Sequence, residues 1–153
     1  VKEDVLNCKR CPLYKARAYP VIGEGNHQAG MMFVGEAPGA QEDKTGRPFC
    51  GAAGKILDEL LISAGIKREN VYISNILKCR PPGNRDPREE EISACVPYLE
   101  RQIEAIKPKA ICSLGRYSMY FLLEKFGLKE QIQPISKIHG KIFKTGKGLS
   151  LIP

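Results

Sequence analysis

With 153 residues, 42% of them hydrophobic and 27% charged, the chain is long enough for one domain with a proper core and too apolar to be a disordered segment. Its 24 lysines and arginines against 17 aspartates and glutamates leave a net charge of +7, which suits a polyanionic partner, although a coat of solvated lysines gives the same balance. No apolar run approaches the ~18 residues of a membrane span. No signal-peptide pattern heads the chain, which starts at Val1, so a cytoplasmic location is expected.

In chain order, MMFVG (31–35) reads as a buried strand. KILDELLISAG (55–65) reads as a helix that puts Ile56, Leu57, Leu60 and Leu61 on one face and stops at Gly65. VYISNIL (71–77), β-branched and aromatic, is a second strand. Residues 86–107 form a long helix, with Asp86 as N-cap, Pro87 at its first position and Glu89 returning to the cap. Val96, Leu99, Ile103 and Ile106 make its apolar stripe, and Pro97 is a candidate bend. AICSLG (110–115) is a third strand, a helix follows near 116–126, and GLSLIP (148–153) is a fourth strand. KIHGKIF (137–143) is a candidate for a short extra strand. Strands and helices in this alternation imply an α/β fold, one domain over 1–153, around a mainly parallel sheet of four strands. No internal repeat and no linker divides it.

Ligands of such sheets bind beyond the carboxyl ends of the strands. After the first strand that end is GEAPGAQEDKTGRPFCG (35–51), with four glycines and two prolines. It carries carboxylates at Glu36, Glu42 and Asp43 and one aromatic ring, Phe49, but neither serine nor histidine. It is either a ligand loop or a glycine-rich connector.

Six cysteines in a chain expected to be intracellular argue for ligation rather than disulfides. Cys8 and Cys11 form CKRCP, and Cys79 and Cys95 are separated by 15 residues, across a proline-rich loop and a helix start. One CxxC and two distant cysteines can enclose a tetrahedral metal or a four-iron cluster, and the spacing does not choose between them. Cys112, inside a strand, and Cys50, next to Phe49, read as packing residues. GAAGK (51–55) lacks the first glycine and the hydroxyl of a phosphate loop, since Phe49 and Ile56 occupy those places. His27 and His139 have no cysteine or serine partner nearby and read as surface residues.

GEAPGAQEDKTGRPF, NILKCRPPGNRDP and the four cysteines Cys8, Cys11, Cys79 and Cys95 together resemble the family 4, iron–sulfur uracil-DNA glycosylases, over essentially the whole chain. The resemblance implies a three-layer αβα sandwich, a [4Fe-4S] cluster on those cysteines and removal of uracil from DNA, by a chain expected to act as a monomer. The family's third motif, His-Pro-Ser after the last strand, would begin where the chain ends at Pro153. The expectation is therefore a domain cut short before that histidine, with the catalytic residue unassigned. Two other readings stay open: a non-catalytic DNA-binding module of the same fold, as attached to phage polymerases, and a zinc-stabilised nucleotide-binding protein.

In the glycosylase reading, uracil is flipped into a pocket formed by Gly35, Glu36, Ala37, Glu42, Phe49 and Asn75. The Asn75 amide can donate to O4 and accept from N3–H, a pattern that cytosine reverses. Phe49 offers a flat face for stacking. Glu42 matches the family position that fills the space of thymine's methyl group. Backbone N–H groups at Glu36 and Ala37 can address O2, where negative charge develops. Alanine at 37 cannot position water, so no general base is assigned. Lys78, Arg80 and Arg85 are the candidates for phosphate contacts.

Overall fold

The computed structural model describes residues Val1–Pro153. Four parallel strands form its centre: β2 (Met31–Gly35), β3 (Tyr72–Asn75), β4 (Ala110–Ser113) and β6 (Ser150–Ile152). Two antiparallel edges of two residues each, β1 (Glu24–Gly25) and β5 (Phe143–Lys144), extend the sheet to six in the order β1-β3-β2-β4-β6-β5. The four expected strands are present. The edges escape a sequence reading because two residues carry no periodicity. Within 137–143, where an extra strand was a candidate, residues Ile135–Ile138 form a short helix and only Phe143 enters β5.

Alternation along the strands sorts the core into two layers. Met32 and Val34 face one cluster with Tyr72, Ile111 and Leu151, whereas Phe33 and Ile73 face the other. The first cluster is covered by α1 (Lys2–Leu6), α4 (Glu89–Ile106) and α5 (Arg116–Lys125), the second by α3 (Ala52–Ser63). The result is the helix–sheet–helix sandwich that the family resemblance implied. No helix is long and apolar enough to cross a membrane.

Two helix readings need correction. Of the four apolar residues expected on one face of α3, only Leu57 and Leu61 are buried, while Ile56 and Leu60 stand 59% and 62% exposed. The small cluster under α3 takes a single i, i+4 pair, so the second pair has nothing to pack on. The long helix starts at Glu89, not Asp86, and the return to its cap comes from Glu91, whose carboxylate accepts the Arg88 N–H at 2.9 Å. Asp86 is drawn away by Arg116 (2.9 Å) and the Tyr117 hydroxyl (3.0 Å). Pro97 lies inside α4 without ending it.

The loop after β2 runs through a short helix, α2 (Ala40–Thr45), and returns over α3, where Gly54 makes the return possible. A Cβ there would lie 1.9 Å from the Phe49 carbonyl oxygen, a backbone atom that cannot rotate away. Gly54→Ala is expected to destabilise the protein by about 1–3 kcal/mol, read as a drop of roughly 2–10 °C in thermal unfolding. Gly30→Ala, where a Cβ would meet nothing within 4 Å, is the control and should unfold near the parent.

Candidate active site

β2 and β3 end side by side, Gly35 opposite Asn75. Beyond them opens a cavity of about 380 Å³, within the usual size of a small-ligand site. Its walls include Glu36, Ala37, Glu42, Phe49 and Asn75, which gathers the residues expected from the opening loop and the second strand. Gly35 lies beneath them. A Cβ on Gly35 would lie 2.4 Å from Asn75 Oδ1 and 2.6 Å from Phe49 Cζ, so the amide and the ring meet only because that atom is missing.

Asn75 is 1% exposed, and its Oδ1 has no hydrogen-bond partner. A buried acceptor left unpaired costs about 1–3 kcal/mol, a penalty that a ligand donor would remove. Phe49 holds its ring over Gly35 with a left-handed backbone (φ 49°), rare for a residue with a side chain. Neighbouring contacts fix that strained residue. Arg68 donates to the Pro48 carbonyl at 2.7 Å and to Glu24 and Asp58, and Arg47 also binds Glu24. Glu24 and Arg68 were not foreseen, because nothing in sequence marks a pair 44 residues apart.

Glu42 lines the cavity and has a second task that its position did not suggest. Its carboxylate accepts the N–H groups of Gly39 (3.1 Å), Cys50 (2.9 Å) and Gly51 (2.8 Å), which folds the loop onto the start of α3. A negative charge at a helix N-terminus is favourable there. Burial pushes the Glu42 pKa up, but the backbone donors outweigh it and hold the carboxyl below its ordinary 4.5. Glu36, on the opposite wall, is pushed up by burial and by the Asp86 charge, against the pull of Arg116.

The three basic candidates separate. Lys78 does not face phosphate: it is 1% exposed, and its Nζ lies within 2.7 Å of Ser74 Oγ, the Asn75 carbonyl and Gln102 Oε1. Burial pulls its pKa down to about 7, while its three acceptors match the three N–H bonds of an ammonium. The side chain turns inward because Ser74 and Gln102 put acceptors there that water cannot reach. Arg80 is half-exposed and held by Asn84 Oδ1 at 2.7 Å. Arg85 lines the cavity, but its guanidinium is paired through both Nη atoms with the fully buried carboxylate of Glu91. Pro81 and Asn84 also line the cavity. Both belong to the second motif, which was the signal available for them.

Cys8, Cys11, Cys79 and Cys95 line a second, smaller cavity between α1, the loop after β3, and α4. Cys50 and Cys112 are elsewhere, Cys50 against Thr45 and Cys112 against the core under α3. Burial pushes the thiols of Cys11, Cys79 and Cys95 up, the last to about 11. Arg17 donates to Cys79 Sγ at 3.1 Å, and the Lys78 N–H to Cys95 Sγ at 3.2 Å. No three His, Cys, Asp or Glu side chains are arranged to hold a single metal ion. His27 and His139 are exposed, as expected.

A sandwich with a cavity of small-ligand size at the carboxyl ends of two parallel strands, and four thiols at its flank, defines a narrow class. The uracil DNA glycosylase superfamily model matches residues 22–152. The chain is 51% identical over 144 residues to the type-4 uracil-DNA glycosylase of Sulfurisphaera tokodaii, covering 94% of this chain and 64% of that protein. It is 46% identical over 155 residues to the type-4 enzyme of Archaeoglobus fulgidus, covering 99% and 77%, and 49% identical over 144 residues to that of Saccharolobus solfataricus, covering 94% and 66%. The chain belongs to the uracil DNA glycosylase superfamily, on its type-4 branch. It spans less than two thirds of the length of the first of these relatives.

Because Glu42 is held ionised by the fold, its contribution to stability is present above pH 4.5 and is lost as pH falls through its lowered folded value. The denaturant midpoint of Glu42→Gln should lie below the parent's at pH 7, and the gap should close below pH 4.5. A gap independent of pH would place the loop clamp elsewhere.

Proposed function

We propose that this chain forms the base-binding body of a uracil-DNA glycosylase, which takes a flipped uracil from DNA into the cavity and hydrolyses its N-glycosidic bond. The observation that carries the reading is the unpaired Oδ1 of Asn75 in a cavity capped by Phe49. A uracil there would give its N3–H to that oxygen and accept the amide N–H at O4. Cytosine meets acceptor with acceptor and donor with donor, at about 1–3 kcal/mol for each buried failure. Phe49 stacks on the base. The carboxylate of Glu42, fixed by three backbone donors, stands where a 5-methyl group would project, which excludes thymine. The Glu36–Ala37 backbone faces O2. Attack is by water on a bond weakened as charge spreads onto the base, so no protein nucleophile is called for. Arg85 in the cavity wall and Arg80, bonded to Asn84 of that wall, would meet the DNA backbone, Arg85 while still paired to Glu91.

The four cysteines would hold a four-iron cluster, the group that similarity to the type-4 enzymes implies, with each iron taking its own cysteine. Bound there, the cluster would tie the N-terminal segment to α4 and supply no chemistry to the base. Changing Cys8, Cys11, Cys79 or Cys95 to Ala should each abolish iron content and lower solubility. Cys50→Ala and Cys112→Ala should leave iron unchanged, and iron lost from either would overturn the ligand set.

The decisive assay is single-turnover excision from oligonucleotides carrying uracil or cytosine at one position. Asn75→Asp, which replaces the amide donor with an acceptor, should cut uracil at least about tenfold more slowly, or ~1.4 kcal/mol, and weaken discrimination against cytosine. Asn75→Ala should slow uracil excision without creating cytosine activity. Parental rates in both variants would mean that Asn75 does not read the base.

A further inference from the structure

Lysine is among the residues least often buried, and a buried charge needs partners on all its bonds. Lys78 meets that demand. Its Nζ reaches Ser74 Oγ at 2.6 Å, the Asn75 carbonyl at 2.7 Å and Gln102 Oε1 at 2.7 Å. Those acceptors are themselves fixed: the Ser74 hydroxyl and the Gln102 amide both donate to the Ile22 carbonyl, and the Gln102 amide also reaches the Tyr72 hydroxyl. At its other end the Lys78 N–H donates to Cys95 Sγ, and its carbonyl accepts the Val21 N–H at 2.7 Å. One residue thus touches both the peptide of the base-reading asparagine and the sulfur cavity.

Stability alone does not account for this arrangement, since apolar groups of similar volume often replace buried ions without loss. What an ammonium with three fixed acceptors adds is position. Asn75 is the last residue of β3, and only two further N–H bonds, Ile76 to the Gly35 carbonyl and Leu77 to that of Glu36, hold the chain to β2 beyond it. The Nζ contact pins the Asn75 carbonyl from the helical layer behind the sheet.

We propose that Lys78 is a positioning residue for base recognition: it fixes the Asn75 peptide and couples it to the loop that carries the sulfur ligands. The inference rests on the base-reading role of Asn75. A displacement of ~1 Å at a reacting group can cost roughly a hundredfold in rate, so a small slackening of this contact reaches the chemistry.

The test is Lys78→Met in the iron-loaded protein, with two readouts. The first is the ratio of affinities for oligonucleotides bearing 2′-fluorinated uridine or cytidine, whose fluorine opposes positive charge at the sugar and blocks cleavage. The ratio is insensitive to a fraction of misfolded protein, because that fraction cancels. The second is the Asn75 side-chain amide signal in nitrogen-15 NMR, assigned through Asn75→Asp. We expect iron content to be retained, uracil preference to fall at least about tenfold, and the Asn75 amide to shift. Gln102→Leu, which removes one acceptor on α4 and touches neither Asn75 nor a cysteine, should move the same signal in the same sense by less. A parental affinity ratio in Lys78→Met, or an Asn75 amide unmoved in both variants, overturns the proposal. If the parent itself does not prefer uracil, the functional reading fails, and the amide signal alone then decides whether Lys78 positions Asn75.

Discussion

At the carboxyl end of β2 the chain lacks a Cβ, and the cavity depends on that gap. Asn75 and Phe49 come from segments 26 residues apart, yet both close over Gly35, at distances that a methyl group would violate. The approach has a cost on each side. Phe49 sits in a left-handed backbone, and Asn75 buries an oxygen with no partner. Strain and unpaired polar atoms persist only where their surroundings over-determine them. Here those surroundings are the Glu42 clamp on three N–H groups and the Arg68 bond to the Pro48 carbonyl. The loop is therefore pre-formed, which spares a bound base the entropy of ordering it.

The electrostatics near the cavity oppose the simple picture that a basic chain gives. The net charge is positive, but four arginines near the cavity are paired: Arg47 and Arg68 with Glu24, Arg85 with Glu91, Arg116 with Asp86. Exposed pairs such as Arg116–Asp86 add little stability. Their effect is to orient loops. Positive charge without a carboxylate partner remains in Arg80, held only by Asn84, and in exposed lysines such as Lys55, Lys137, Lys141 and Lys147.

The sequence was legible where one residue's chemistry is local. MMFVG is a strand on its own terms, and CKRCP with Cys79 and Cys95 marks a common site by spacing. It was misleading where tertiary partners decide. Lys78, beside Cys79 and Arg80, looks like one more surface cation, and only Ser74 and Gln102 behind the sheet turn it inward. Asp86 looks like a helix cap, and Arg116 and Tyr117, some 30 residues on, take it away. Ile56 and Leu60 have the spacing of a buried stripe, but the layer beneath α3 is too narrow to receive them. The roles proposed for Glu42 and Asn75 came from motif resemblance rather than from periodicity. For Glu42 the structure adds a loop-clamping task that the motif did not convey.

The helix α4 joins the two cavities. Its buried face is not purely apolar: Glu91, Cys95 and Gln102 lie along it with Leu99, Ile103 and Ile106. Spacings of four and seven residues keep the three polar positions on one side of a helix. Glu91 holds Arg85 at the base cavity, Cys95 faces the sulfur cavity, and Gln102 holds Lys78 behind Asn75. Each polar group lies within hydrogen-bonding or ligating reach of a residue in the loop after β3, so that loop is fixed at three points along one rigid rod. A movement of α4 relative to the sheet would therefore disturb both cavities together. A group bound by the four cysteines would, by holding Cys95, hold α4, and through Gln102 and Lys78 it would steady the Asn75 peptide at the edge of the other cavity.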